Sequence, residues 1–100
     1  MIAIVWRFTS TSGAQAAFED AYGSDGAWAK LFRTAPGYVR TDLLRRFDGS
    51  YLTIDYWRSL SDWDAFSRGQ SEAYAALDAA CEALTASEEQ IGVFEVVEPR

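Results

Sequence analysis

Asp55 and Trp57, one residue apart at the end of Ser50-Tyr-Leu-Thr-Ile-Asp-Tyr-Trp57, are the side chains best placed to do chemistry. That run alternates as a strand does. A second strand-like run, Tyr38 to Phe47, precedes it across Asp48-Gly49, a strong signal for a two-residue hairpin loop. With those two residues as the loop, Phe47 faces Ser50, Arg46 faces Tyr51 and Leu44 faces Thr53. Asp42 then stands opposite Asp55, and Arg40 opposite Trp57; paired residues share a face. One face collects Val39, Leu43, Leu52, Ile54 and Tyr56 and reads as core under helices. The other carries Arg40, Asp42, Leu44, Arg46, Tyr51, Thr53, Asp55 and Trp57. Two carboxylates across one rung repel, and away from water at least one is raised in pKa. A carboxylate so raised accepts a proton near neutral pH. Arg40 beside Trp57 suits a cation–π contact and the holding of an anionic or phenolic group. The alternative is that both acids are solvated, or neutralised by Arg40, Arg46 or Arg7, and that Trp57 seals a subunit interface.

The elements that must position these residues follow from patterning. Ile2, Ile4, Trp6 and Phe8 alternate with Ala3, Val5, Arg7 and Thr9; both sets are fairly apolar, so this first strand is expected to be central and covered on both faces. Ser12 with Gln15 three residues on is a capping-box signal for a helix bearing Phe18 and Tyr22. Gly23-Ser-Asp-Gly26 breaks it, and Asp25 is placed to cap a short helix with Trp28, Leu31 and Phe32. After the hairpin, Ser61 is the expected cap of a helix with Trp63 and Phe66 turned inward, and Gly69 marks a break. A longer helix is expected from about Ser71 to Leu84, with Tyr74, Leu77, Cys81 and Leu84 at helical spacing. Ile91 to Val97 reads as the last strand. The order β-α-β-β-α-β is that of the ferredoxin-like split βαβ, a four-stranded antiparallel sheet with helices on one face. Such a sheet leaves its other face to be polar or covered by a second subunit.

One hundred residues, 49% hydrophobic, make one α+β domain spanning residues 1–100. The formal net charge of −6, with Lys30 the sole lysine and no basic cluster, argues against nucleic acid and anionic membranes as partners. No run approaches the ~20 apolar residues that a membrane helix needs, and the start lacks a leader-like apolar stretch; a cytoplasmic location is expected. With no histidine in the chain, Ser-His-Asp and Cys-His catalysis and His-held metal or haem are ruled out. Cys81, alone in an Ala-rich run, reads as a small buried residue. Neither a metal nor a cofactor is expected.

Ala35-Pro-Gly-Tyr38 leading into a strand, Asp55-x-Trp57 closing the next, and a capped helix bearing Trp63 and Phe66 together resemble the antibiotic biosynthesis monooxygenase family over nearly the whole chain. The resemblance implies a dimeric α/β barrel. In members that oxidise quinols or anthrones without metal or cofactor, it implies a ligand between sheet and helices. By it, Trp57 lines the pocket with aromatics of the following helix and is the best site candidate, Trp63 a weaker one. Phe66 and Tyr74 are further candidates, and for Trp63, Phe66 and Tyr74 the alternative is a core role, since aromatic stripes at helical spacing usually pack. The haem-degrading branch uses an Asn on the first strand and a His after the third; this chain contains neither residue type.

Two readings of different kind follow. One is a cofactor-independent monooxygenase of a small aromatic substrate, in which Asp55 or Asp42 takes the proton, Arg40 stabilises the anion and Trp57 stacks. The other is a non-catalytic dimeric module for a small apolar ligand or for a stress response. An isomerase or cyclase of the same barrel type would use the same carboxylates without oxygen.

Overall fold

The computed structural model describes residues 1–69 and 71–99. Its elements are β1 (Ile2–Ser10), α1 (Gln15–Tyr22), α2 (Ala27–Phe32), β2 (Tyr38–Arg45), β3 (Tyr51–Trp57), α3 (Leu60–Gly69), α4 (Ser71–Cys81) and β4 (Thr85–Glu95), with a short 3-10 turn at Glu82–Leu84. The four strands form one antiparallel sheet in the order β2-β3-β1-β4. This is the ferredoxin-like arrangement the element order implies, with α1 and α2 together in the first helical crossover and α3 and α4 in the second.

The hairpin between β2 and β3 closes differently from the expected two-residue turn. Arg46 N donates to Ser50 O (2.8 Å), and Gly49 N to Arg46 O (2.9 Å). The loop is therefore Phe47-Asp48-Gly49, three residues long, with Gly49 at φ +91°, where a side chain is strained. Asp48 Oδ1 accepts from both the backbone N (2.9 Å) and Oγ (2.6 Å) of Ser50, which locks the turn and lowers the Asp48 pKa. One added loop residue moves the register by one, and a one-residue slip sends every side chain to the opposite face. Asp55 pairs with Thr41 and not Asp42; Asp42 pairs with Ile54. Arg40 pairs with Tyr56 and not Trp57.

β3 is accordingly turned over relative to expectation, while β2 keeps Leu43 towards the core and Arg40, Asp42 and Leu44 on the other face. Tyr51, Thr53, Asp55 and Trp57 point under the helices and are buried, while Leu52 is exposed and Ile54 and Tyr56 are half-buried on the open face. A bulge at Val39, between the pairs Tyr38–Trp57 and Arg40–Tyr56, turns Tyr38 back to the helix side beside Trp57.

β1 is central, as its two apolar sets imply, but only its helix side is fully covered: Ile4 and Phe8 are buried, while Arg7 and Thr9 are exposed. β4 starts six residues before the expected Ile91. Thr85 to Gln90 is polar because it is an exposed edge segment, held by its pairing with the far half of β1. Ile91 is the extra residue of a bulge between the pairs Val5–Gly92 and Trp6–Gln90.

Helix starts also differ from the sequence reading. Ser12 and Asp25 make no cap bond. α3 is capped by Ser59 instead of Ser61: Asp62 N donates to Ser59 Oγ (3.1 Å), and Ser59 Oγ donates to Asp62 Oδ2 (3.0 Å).

Between sheet and helices lies a core dominated by aromatic rings. Phe18 stacks on Tyr22 (4.3 Å between centroids) and meets Tyr51 (4.6 Å). Phe32 is the hub of the other half, edge-on to Trp57 (5.7 Å), Trp63 (6.2 Å) and Phe66 (5.4 Å). Trp57 is 0% exposed. Cys81 is buried, as its place in the Ala-rich run suggests.

Candidate active site

A cavity of about 140 Å³ opens between the sheet and helices α2 and α4. Its walls are aromatic: Trp6 and Phe8 from β1, Tyr22 from α1, Trp28 and Phe32 from α2, and Tyr74 from α4. Its polar lining is Thr41, Thr53 and Asp55 from the sheet, with Asp78 from α4 and Glu88 from β4. Thr41, Thr53 and Asp55 are buried, whereas Asp78 and Glu88 are exposed, so the first three form the floor and the last two the rim. A volume of on the order of 150 Å³ accommodates one benzene ring.

Asp55 is the one carboxylate on that floor, 8% exposed. Burial raises its pKa to about 6, and a hydrogen bond from Thr41 offsets part of that rise. Thr41 Oγ1 donates to Asp55 Oδ1 at 2.7 Å. Tyr38 OH lies 2.7 Å from the same Thr41 oxygen. A threonine hydroxyl has a single proton. Since Thr41 spends it on Asp55, Tyr38 is the donor in that second contact, and the chain runs Tyr38 to Thr41 to Asp55. Among the described residues, no hydrogen bond reaches Asp55 Oδ2. The carboxylate is thus held by one oxygen and has the other free for a ligand.

The cavity phenols are poor bases by comparison. Burial pushes the Tyr22 and Tyr74 hydroxyls up, and the negative charges of Asp78, Asp55 and Glu88 push Tyr74 further. Both stay protonated at neutral pH. Trp28 lines the wall with its ring, while its Nε1 is buried behind that surface beside the Tyr22 hydroxyl and the Cys81 thiol.

The sequence-derived candidates divide into three groups. Asp55 and Tyr74 line the cavity. Trp57, Trp63 and Phe66 form a packed cluster behind it, with Trp57 5.4 Å from each of the other two rings, and they support the floor without lining it. Asp42 and Arg40 are on the open face, where they pair with one another (3.4 Å) and Arg40 lies over the Tyr56 ring (4.3 Å). The expected carboxylate pair and the expected Arg40–Trp57 contact are therefore absent from the site. Thr41, Tyr38 and Trp28 enter it unforeseen. The only signal for Thr41 was the length of the hairpin loop.

The sequence profile described as "Antibiotic biosynthesis monooxygenase" matches residues 1–80. SnoaB, a cofactor-independent oxygenase from Streptomyces nogalater, is 30% identical and superposes with a TM-score of 0.76 over 98% of this chain and 94% of that one. Rv0793 from Mycobacterium tuberculosis, 20% identical, superposes at 0.69 over 98% and 96%. A variant of MhuD holding two manganese protoporphyrin IX molecules per active site, 21% identical, superposes at 0.70 over 100% and 98%. No relative was found among the curated proteins.

Proposed function

The chain belongs to the antibiotic biosynthesis monooxygenase family, and from that premise we propose that Asp55 is the base of a cofactor-independent oxygenation of an electron-rich hydroxyaromatic substrate. The observation that carries this reading is a buried carboxylate of pKa about 6 on the floor of an aromatic cavity. At neutral pH Asp55 is mostly ionised, yet basic enough to accept a phenolic proton.

The substrate hydroxyl gives its proton to Asp55 Oδ2. The resulting oxyanion ring is electron-rich and passes an electron to dioxygen; the radical pair combines at a ring carbon that bears hydrogen. Loss of water from that peroxide leaves a carbonyl. One oxygen atom is then in the product, and the other leaves in water with the two hydrogens removed from the substrate. The protein's part is to bind, deprotonate and exclude solvent. Trp57, Trp63 and Phe66 act by fixing β3 and the floor.

Haem does not fit the cavity as it stands: its walls hold neither imidazole nor thiolate for the iron, and its volume is that of about one ring.

The working form in this reading is a homodimer joined through the open faces of the sheets. Leu44, Leu52 and Phe94 are 47%, 36% and 49% exposed there, with Val5 and Ile54 between them. Apolar surface of that kind marks an interface.

Oxygen consumption with a panel of single-ring hydroquinones and catechols tests the chemistry. Turnover should appear with one of them and fall at least ~100-fold in Asp55→Asn. Ligand binding with no oxygen consumed across the panel would overturn the oxygenase reading and favour a binding module or a proton-transfer isomerase.

A further inference from the structure

We propose that the cavity selects aromatic ligands bearing a positive charge, an arylalkylammonium above all, with the ring in the aromatic box and the ammonium at the Asp78–Glu88 rim. The inference deepens the reading above by naming the substrate class of the same site.

Three observations carry it. First, the rim is acidic on both sides: Asp78 comes from α4 and Glu88 from β4, both exposed, and neither has a salt-bridge partner among the described residues. No Lys or Arg lines the cavity among the described residues. Of the nearby basic side chains, Arg33 pairs with Asp25 and Arg45 with Glu19, while Lys30 on α2 and Arg7 on β1 are exposed and do not line the cavity. Secondly, Trp6, Trp28 and Tyr74 present ring surface between floor and rim, and aromatic walls hold an organic cation by its attraction to their π-faces. Thirdly, the floor has its own unmet need. Asp55 is nine-tenths buried with Oδ2 unpartnered, so a ligand hydroxyl is called for at one end while the acids call for a cation at the other.

A metal ion does not meet this description, since among the described residues no three of His, Cys, Asp and Glu converge closely enough to hold one. Electrostatics points the same way. The field of Asp78, Asp55 and Glu88 already opposes ionisation of Tyr74 in the wall. It would likewise oppose a ligand phenolate in the cavity unless the ligand brought a compensating positive charge. A carboxylate-bearing ligand would meet repulsion from the rim.

The test uses three phenols of one length: tyramine, tyrosol and 4-hydroxyphenylacetate, which end in an ammonium, a hydroxyl and a carboxylate. Binding is read by calorimetry or by quenching of the wall tryptophans, in the full chain and without any turnover. Tyramine should bind roughly tenfold tighter than tyrosol, from a cation–π contact and two exposed ion pairs. 4-Hydroxyphenylacetate should bind weakest. The tyramine advantage should shrink in 0.5 M NaCl. In Asp78→Asn/Glu88→Gln, whose fold is checked by circular dichroism, the tyramine-to-tyrosol ratio should fall towards one. Equal binding of tyramine and tyrosol, no binding of any of the three, or a ratio unchanged in the double variant would each overturn the proposal. A clear tyramine preference with no oxygen consumed by any substrate would leave it standing and sink the oxygenase reading. Oxygen consumption with neutral quinols and no tyramine preference would do the reverse.

Discussion

Replacing Asp55 by Asn should make the protein more stable at pH 8 and barely change it at pH 4. The folded-state pKa of Asp55 is about 6 against an ordinary 3.8, because burial penalises its charged form. A raised acid contributes stability that is fully present below the unfolded pKa and is lost as pH rises through the folded one. The window therefore runs from about 4 to about 7. About two pH units at ~1.4 kcal/mol each give roughly 3 kcal/mol as the cost of keeping Asp55 ionised in the fold at pH 8. By pH 4 less than ~1 kcal/mol of that remains. Asn removes the charge and keeps an oxygen for the Thr41 hydroxyl, so the variant escapes that cost without orphaning its neighbour. In a chain of 100 residues, 1 kcal/mol moves the melting temperature by about 4–8 °C, so the variant should melt on the order of 10 °C higher at pH 8. The assay is a calorimetric or circular-dichroism melt of both proteins at half-unit steps from pH 4 to pH 8. A difference in melting temperature that does not grow with pH, or a variant less stable than the parent at pH 8, would refute the reasoning. It would mean that Asp55 is not a buried base held at a cost to the fold.

Thr41→Val removes the hydrogen bond that favours ionised Asp55, so the acid limb of any turnover should move up by about 1 pH unit; a pH–rate profile checks it. Gly37→Ala should cost at least ~2 kcal/mol in a urea melt: Gly37 sits at φ +91°, and a Cβ there would run into the Asp62 carboxyl group. Leu52→Glu, placed on the open sheet face, should turn the proposed dimer into a monomer of 11.1 kDa by sedimentation at micromolar concentration; a parent protein that is already monomeric at that concentration would refute the dimer.

The fold was legible because its signals were long-period ones: alternation in Ile2–Phe8 and Tyr51–Trp57, helical spacing around Phe18 and Tyr22, and glycines at the breaks. The sidedness of β3 and its register with β2 were not. Asp-Gly signals a two-residue turn, yet Asp48 here accepts from Ser50 and puts Gly49 at the left-handed position of a three-residue loop. Both faces of this hairpin are mixed in polarity, so hydrophobicity could not choose between the registers: Leu52, Ile54 and Tyr56 look more like core than Thr53 and Asp55 do. Asp55 was readable as chemistry-bearing from its place beside Trp57 at a strand end. Its true partner, Thr41, was hidden because a hydroxyl that donates to a buried carboxylate looks, in sequence, like any strand threonine. Glu88 was missed for a different reason: β4 was read as starting after it.

The loop Phe47-Asp48-Gly49 makes the site unequally tolerant of two kinds of genetic change. Phe47 is fully exposed, so its identity is free to drift. Its presence is not. β3 is fixed on its other edge by β1, with Asp55 opposite Ile4, so a deletion in the loop would be absorbed by β2 sliding one residue. That slide would withdraw Thr41 and set Asp42 against Asp55, placing a second carboxylate where the base now has a hydroxyl donor. Insertions or deletions of two residues would keep sidedness and those of one would invert it, so this hairpin should diverge by substitution and by even-numbered length changes.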